Sequence, residues 1–272
     1  MKRIACGFLA LLTFVAKPAP AQGQRRMDGD SAGWRPYALA SQPTALQWMM
    51  LNGSTSQPVP GATGAPNGTV SATSLAVPEA ARKEMREFAK DFDAGRLEES
   101  AKHGEKALRI SPDWAAAHHD LGQCYARMHQ YEKAIEEFQS AAALDPRMVA
   151  PWVSLAGAYF LEGKYTEGEN AARRALEIDR ANSNARYFLG RILAVAGHDL
   201  QDAVELLRKS EEQYPAARLT LANVYLKQNQ TEEAVGELRG YLADPNAPQK
   251  EKVTCMVEKL TKPAGTVSCS MQ

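Results

Sequence analysis

A near-constant step of about 34 residues runs through the middle of this chain and constrains its fold more than any other feature. Tyr125, Tyr159, Leu193 and Tyr225 stand one such step apart in turn, with the last interval slightly shorter. The small residues Gly122, Ala156, Gly190 and Ala222 keep the same step, each three places before its anchor. A second small series, Ala134, Gly168, Ala203 and Ala234, follows at nearly the same intervals. A period of this length is the mark of stacked helical hairpins, each hiding an apolar face against the next. Function in such a chain belongs to the surface of an array, not to one enclosed pocket.

The best-formed unit reads His118-x2-Leu121-Gly122-x2-Tyr125, then Ala134-x3-Phe138, then Pro146. The next supplies the one residue that this unit lacks, as Trp152-x2-Leu155-Ala156-x2-Tyr159. Later units read Leu189-Gly190-x2-Leu193 with Ala203-x3-Leu207 and Pro215, and Leu221-Ala222-x2-Tyr225 with Ala234-x3-Leu238. Upstream, Phe88, Ser100, Ala107 and Pro112 stand one full step before Gly122, Ala134, Ala141 and Pro146, a degenerate first unit. This pattern resembles the tetratricopeptide repeat family. The resemblance implies an all-α solenoid of about five helix-turn-helix repeats with a C-terminal capping helix, and an exported, bacterial protein of that family.

The expected layout is a signal peptide over 1–21, a linker over 22–77 and an array over 78–247. Its repeats fall at about 79–114, 115–148, 149–182, 183–214 and 215–247, followed by a capping helix over 248–261 and a tail over 262–272. Small residues at Gly122, Gly190 and their equivalents let the two helices of one hairpin approach, and Tyr or Leu anchors fill the space between neighbours. Pro112, Pro146 and Pro215 mark where second helices end, since proline cannot continue a helix. Gly95, Gly163 and Gly197 stand between first and second helices, where a positive φ is useful. Val253, Met256, Val257 and Leu260 form the single apolar stripe that a terminal cap needs.

The N-terminus reads differently. Met1-Lys2-Arg3 is basic, Ile4 to Ala16 is a short apolar run, and Ala19-Pro20-Ala21 offers small residues for cleavage before Gln22. This succession predicts a secretory signal peptide, too short to span a bilayer, and a periplasmic or secreted mature protein without a transmembrane span. Residues 22–77 are rich in Gly, Pro, Ser, Thr and Gln, with little apolar surface to offset the entropy of ordering. Within them Ala45 to Leu51 is an apolar island suited to docking or to a transient helix. Asn52 and Asn67 begin glycosylation-type triplets.

Composition adds bounds. Basic and acidic residues balance at 32 each, and loss of Lys2, Arg3 and Lys17 with the signal leaves 29 against 32. No basic footprint for nucleic acid results. Cys124, one place before an anchor, reads as a buried small hydrophobe. Cys255 and Cys269 either pair in an oxidising compartment or remain free thiols.

No catalytic, cofactor or metal site is expected, nor a small-molecule substrate. Glu98-Glu99 and Glu232-Glu233 fall in the first turn of second helices, where acids complement the helix dipole. Adjacent helix positions such as His118, His119 and Asp120 point about 100° apart and do not converge on one ion. Gly61 to Gly68 lacks the ending of a phosphate loop.

A binding surface remains. The resemblance implies a concave groove lined by first helices, and the matching positions select His119, Gln123, Arg127, Val153, Phe160, Tyr187, Arg191, Asn223 and Lys227. The Lys and Asn arrangement with which chaperone-binding members of the family clamp a terminal carboxylate is missing. The groove is mixed, with aromatic anchors and side-chain amides that suit an extended or helical segment of an envelope or secreted protein. Tyr187 and Arg191 are expected to be open to substitution without harm to the fold, while Val153, Phe160 and Leu161 either line the groove or pack between helices. Three functions follow from different classes: a non-catalytic scaffold, a periplasmic assembly factor or holdase, and an accessory subunit of an enzyme complex.

Overall fold

The computed structural model describes residues 77–245 and 247–262. These residues form eleven α-helices and no strand. The first hairpin pairs α1 (Glu79–Asp93) with α2 (Leu97–Ile110), and the second α3 (Ala115–Arg127) with α4 (Tyr131–Leu144). The third pairs α5 (Val149–Leu161) with α6 (Tyr165–Ile178), and the fourth α7 (Ser183–Ala196) with α8 (Leu200–Ser210). The fifth pairs α9 (Ala217–Lys227) with α10 (Thr231–Leu242), and α11 (Lys250–Thr261) follows alone. The expected signal peptide, the island at 45–51, Asn52, Asn67, Gly61 to Gly68 and Cys269 lie outside the described residues. Val77, assigned to the linker from sequence, is buried, and its carbonyl accepts bonds from Arg82 Nε at 3.0 Å and Nη2 at 2.8 Å.

Local chemistry sets the hairpin turns. Gly95, Gly163 and Gly197 carry φ values of 75°, 72° and 81°, left-handed backbone that glycine adopts without a Cβ penalty. The second and fifth turns use the same conformation with His129 at 59° and Asn229 at 60°. Second helices begin with acids where the N–H groups are unpaired: Glu98 and Glu99 in α2, Glu232 and Glu233 in α10. The α7 N-terminus is closed by Asn182, whose Oδ1 accepts from the Ala185 N–H at 3.0 Å.

Inside the second and fourth hairpins, a small residue on the first helix receives a large one from the second. A Cβ on Gly122 would stand 2.6 Å from the Phe138 ring, and one on Gly190 2.8 Å from Leu207 Cγ. The first hairpin inverts the arrangement. There Phe88 on α1 is the large partner and Gly104 on α2 the small one, with only 3.1 Å between a Gly104 Cβ and the Phe88 ring. Ser100 completes that crossing by donating its hydroxyl to the Phe88 carbonyl at 2.9 Å. Phe138, Phe188, Leu193 and Leu207 are fully buried in one core running from α1 to α9. Each such side chain contributes roughly 1.5–3 kcal/mol by leaving water.

Every helix packs on the next in sequence. In addition α5 packs on both α3 and α7, and α7 on α9, whereas no two second helices pack to that extent. The first helices therefore lie side by side as one surface, with the second helices splayed outside them. The far end is closed by α11, whose Val253 is buried and whose Met256, Val257 and Leu260 pack over Ala222, Leu238 and Tyr241. No helix among the described residues is long and apolar enough to cross a membrane.

Candidate partner-binding surface

Neighbouring first helices are tied together by side chains that reach across one repeat. Arg127 on α3 donates to the Phe92 carbonyl at 3.3 Å and covers the Phe92 ring at 4.3 Å. Lys227 on α9 donates to the Ala194 carbonyl at 2.7 Å. The guanidinium of Arg191 on α7 lies 4.4 Å from the Phe160 ring centre and 5.2 Å from that of Tyr187. His119 on α3 meets Ser154 Oγ on α5 at 3.1 Å. These links span adjacent units and make the face a tied surface, whose own side chains lose little freedom when a segment docks on it.

Burial divides the nine expected groove residues. Tyr187 is 1% exposed and Arg191 3%, and His119, Val153 and Phe160 are buried as well. Gln123, Arg127 and Asn223 are half-buried, and Lys227 is exposed. The expectation that Tyr187 and Arg191 tolerate substitution without harm to the fold is thus overturned. Tyr187 stacks on Tyr214, ring centres 4.5 Å apart and planes 15° apart, and so joins the fourth hairpin to the start of the fifth. Val153 and Phe160 belong to the core, with Leu161 half-buried against it. The accessible polar groups are those of Gln123 and Asn223, flanked by Arg127 and Lys227.

The outer side carries a second pattern that the sequence reading missed. Residues 19 apart face each other across a hairpin: His103 Nδ1 with Glu84 Oε2 at 2.6 Å, His118 Nδ1 with Glu137 Oε2 at 2.6 Å, and Arg218 Nη1 with Glu237 Oε2 at 3.2 Å. The constant spacing was the available signal. His118 also meets the Pro112 carbonyl at 2.9 Å through Nε2. Burial alone would lower the His118 pKa, but the Glu137 hydrogen bond, the Pro112 carbonyl and the Glu137 charge together hold it above the ordinary value. His118 and His119 point at partners on α4 and α5 respectively, and among the described residues no His, Cys, Asp or Glu group could hold a metal ion.

Between the fourth and fifth hairpins the pairing widens into a network. Glu237 receives both Arg208 and Arg218 at 3.2 Å, Arg218 also reaches Glu211 at 2.7 Å, and Arg208 donates to the Tyr225 hydroxyl at 2.9 Å. Burial pushes the Glu211 pKa up despite these cations. Cys124 is free and buried, donating to the Leu97 carbonyl at 3.2 Å, and burial raises its pKa to about 11. Cys255 is disulfide-bonded.

Family models described as tetratricopeptide repeat match residues 115–148, 155–218 and 194–249. The second to fifth hairpins of this array are thus tetratricopeptide repeats. The repeats share 21% identity over 173 residues with stress-induced-phosphoprotein 1 of Caenorhabditis elegans, 64% of this chain but 53% of that protein. The chain thus spans about half the length of this relative. Among solved structures, YrrB, a tetratricopeptide protein with an unusual peptide-binding site, superposes with a TM-score of 0.55 at 20% identity. That match covers 70% of this chain and 98% of YrrB. The pilF protein of Pseudomonas aeruginosa superposes with a TM-score of 0.57 at 20% identity, over 67% of this chain and 84% of that one. At such identities the likeness is one of fold.

Proposed function

We propose that this tetratricopeptide chain is a non-catalytic scaffold that holds a segment of one partner protein against its first-helix face, outside the cytoplasm. The observation that carries this reading is the side-by-side packing of α3, α5, α7 and α9 into one tied surface with polar groups at its edges. Arrays of this kind are protein-interaction scaffolds, and some bind peptides. The amides of Gln123 and Asn223 suit the main-chain groups of an extended segment, and the flanking Arg127 and Lys227 suit acidic side chains on it. The succession from Met1 to Ala21 supports export, and the disulfide at Cys255 accords with an oxidising compartment.

The test is crosslinking in the native compartment, followed by titration of the captured partner. Gln123→Ala and Asn223→Ala should each weaken binding about fivefold, whereas Arg173→Ala and Lys209→Ala on second helices should be silent. Tyr187→Ala is unsuitable as a probe, since removing a fully buried aromatic costs about 3–5 kcal/mol of stability. Unchanged binding by both amide variants would remove the site from this face. Weak binding of many apolar peptides in place of one partner would replace the scaffold with a holdase. N-terminal sequencing of the native protein should begin at or near Gln22, and retention of Met1 would refute export.

A further inference from the structure

The outer charge pairs have a gap. At the register positions where the first and second hairpins carry His–Glu hydrogen bonds and the fifth an Arg–Glu pair, the third carries Trp152 and Ala171. Beside these two residues, the space between α4 and α6 forms a cleft of about 440 Å³ floored by α5. Its floor is Trp152, Leu155 and Tyr159, and its rim is Gln139, Glu167 and Asn170.

The chemistry of this cleft is one-sided. Among the described residues, Glu167 is the only charged one that lines it. Gln139 donates its amide Nε2 to the Tyr159 hydroxyl at 2.7 Å, which leaves its amide oxygen as an acceptor. Trp152 directs its indole N–H to the Pro146 carbonyl at 3.3 Å, so its ring meets the cleft as an apolar, electron-rich surface. Two aromatic rings beside one carboxylate complement a planar cation that both stacks and donates. The Trp152 ring already has such a neighbour over it. The Arg174 guanidinium carbon lies 6.0 Å from the ring centre, and Glu177 holds that side chain at 2.7 Å.

We propose that this outer cleft binds an arginine side chain presented by an extended segment of a partner protein, with its guanidinium over the Trp152 and Tyr159 rings and against Glu167. The site is separate from the first-helix face, so a partner engaging both would wrap from one side of the array to the other.

The probe is a short capped peptide with arginine at its centre among alanine and proline, titrated into the full chain beside the same peptide with citrulline. Citrulline keeps the planar shape and loses the charge. The arginine peptide should bind at least about tenfold more tightly than its citrulline counterpart. Glu167→Gln should weaken it about fivefold and Trp152→Leu more, with Glu232→Gln on α10 without effect. Glu167 is exposed, so its variant tests the site even if Trp152→Leu fails to fold. Unchanged affinity of Gln123→Ala and Asn223→Ala for this peptide would separate the cleft from the first-helix face. Equal binding of the two peptides, no saturable binding of either, or indifference to Glu167→Gln would each overturn the proposal.

Discussion

Replacing Gly190 with leucine tests the packing principle of the array directly. A Cβ there would stand 2.8 Å from Leu207 Cγ and 3.2 Å from the Ala203 carbonyl oxygen. Ordinary carbon contacts lie near 3.5–4.0 Å, so the first added atom already intrudes by roughly 1 Å. Leu207 is fully buried and has nowhere to withdraw, and the second obstacle is backbone. Three further carbons must then part α7 from α8. Overpacking of this kind costs about 1–3 kcal/mol, and the backbone obstacle puts Gly190→Leu at or above the top of that range. For a domain of this size the melting temperature should fall by about 2–4 °C per kcal/mol. Because each hairpin is supported only by its neighbours, loss in the fourth should also broaden the transition or split it. The companion is Leu207→Gly, a cavity on its own, combined with Gly190→Leu. The first hairpin already uses that inverted pattern, so the double variant should be more stable than the sum of the single losses predicts. Urea and thermal unfolding followed by circular dichroism supply all four corners. Wild-type melting of Gly190→Leu, or no rescue in the double variant, would refute the reasoning.

Three further outcomes are expected. His129→Gly should stabilise the chain by up to about 1 kcal/mol, because His129 bears a φ of 59° at the place where the first, third and fourth hairpins use glycine; unfolding in urea measures it. The pair formed by His118 should contribute fully below the ordinary histidine pKa of about 6.5 and lose its contribution as pH rises through the raised value, so the melting advantage of wild type over His118→Gln should shrink toward alkaline pH. Cys124, buried and with a pKa raised to about 11, should resist alkylation in the folded chain at about pH 8 and react only on unfolding, as mass spectrometry would record.

The hairpins were legible because the period repeats small residues and anchors, and both are demanded by contacts within one unit or with its neighbour. Gly122 against Phe138 is such a contact, and its two members lie in one hairpin. The burial of Tyr187 was not legible. It depends on a stack with Tyr214, which belongs to the connection before α9 and falls outside any repeated position. Arg191 misled in the same way, since a cation over the Phe160 ring of the preceding repeat reads as a surface residue until that ring is placed. The left-handed turns at His129 and Asn229 were in reach, because each stands one period from a glycine turn. Residue type hid them, since neither is glycine.

Repetition exposes a chain to a particular error: during folding, one hairpin helix can close on the matching helix of another unit. The inverted first crossing makes that mistake unfavourable. Were α1 to take the place of α3 against α4, the Phe88 ring would meet the Phe138 ring where the native partner is a glycine, and Glu84 would face Glu137 instead of a histidine. Were α3 to close on α2, Gly122 would face Gly104 across an empty crossing, and His118 would meet His103. Both shape and charge therefore reject the exchanged pairings. The first hairpin, the most degenerate by its sequence, acts as an address that fixes where the count of repeats begins.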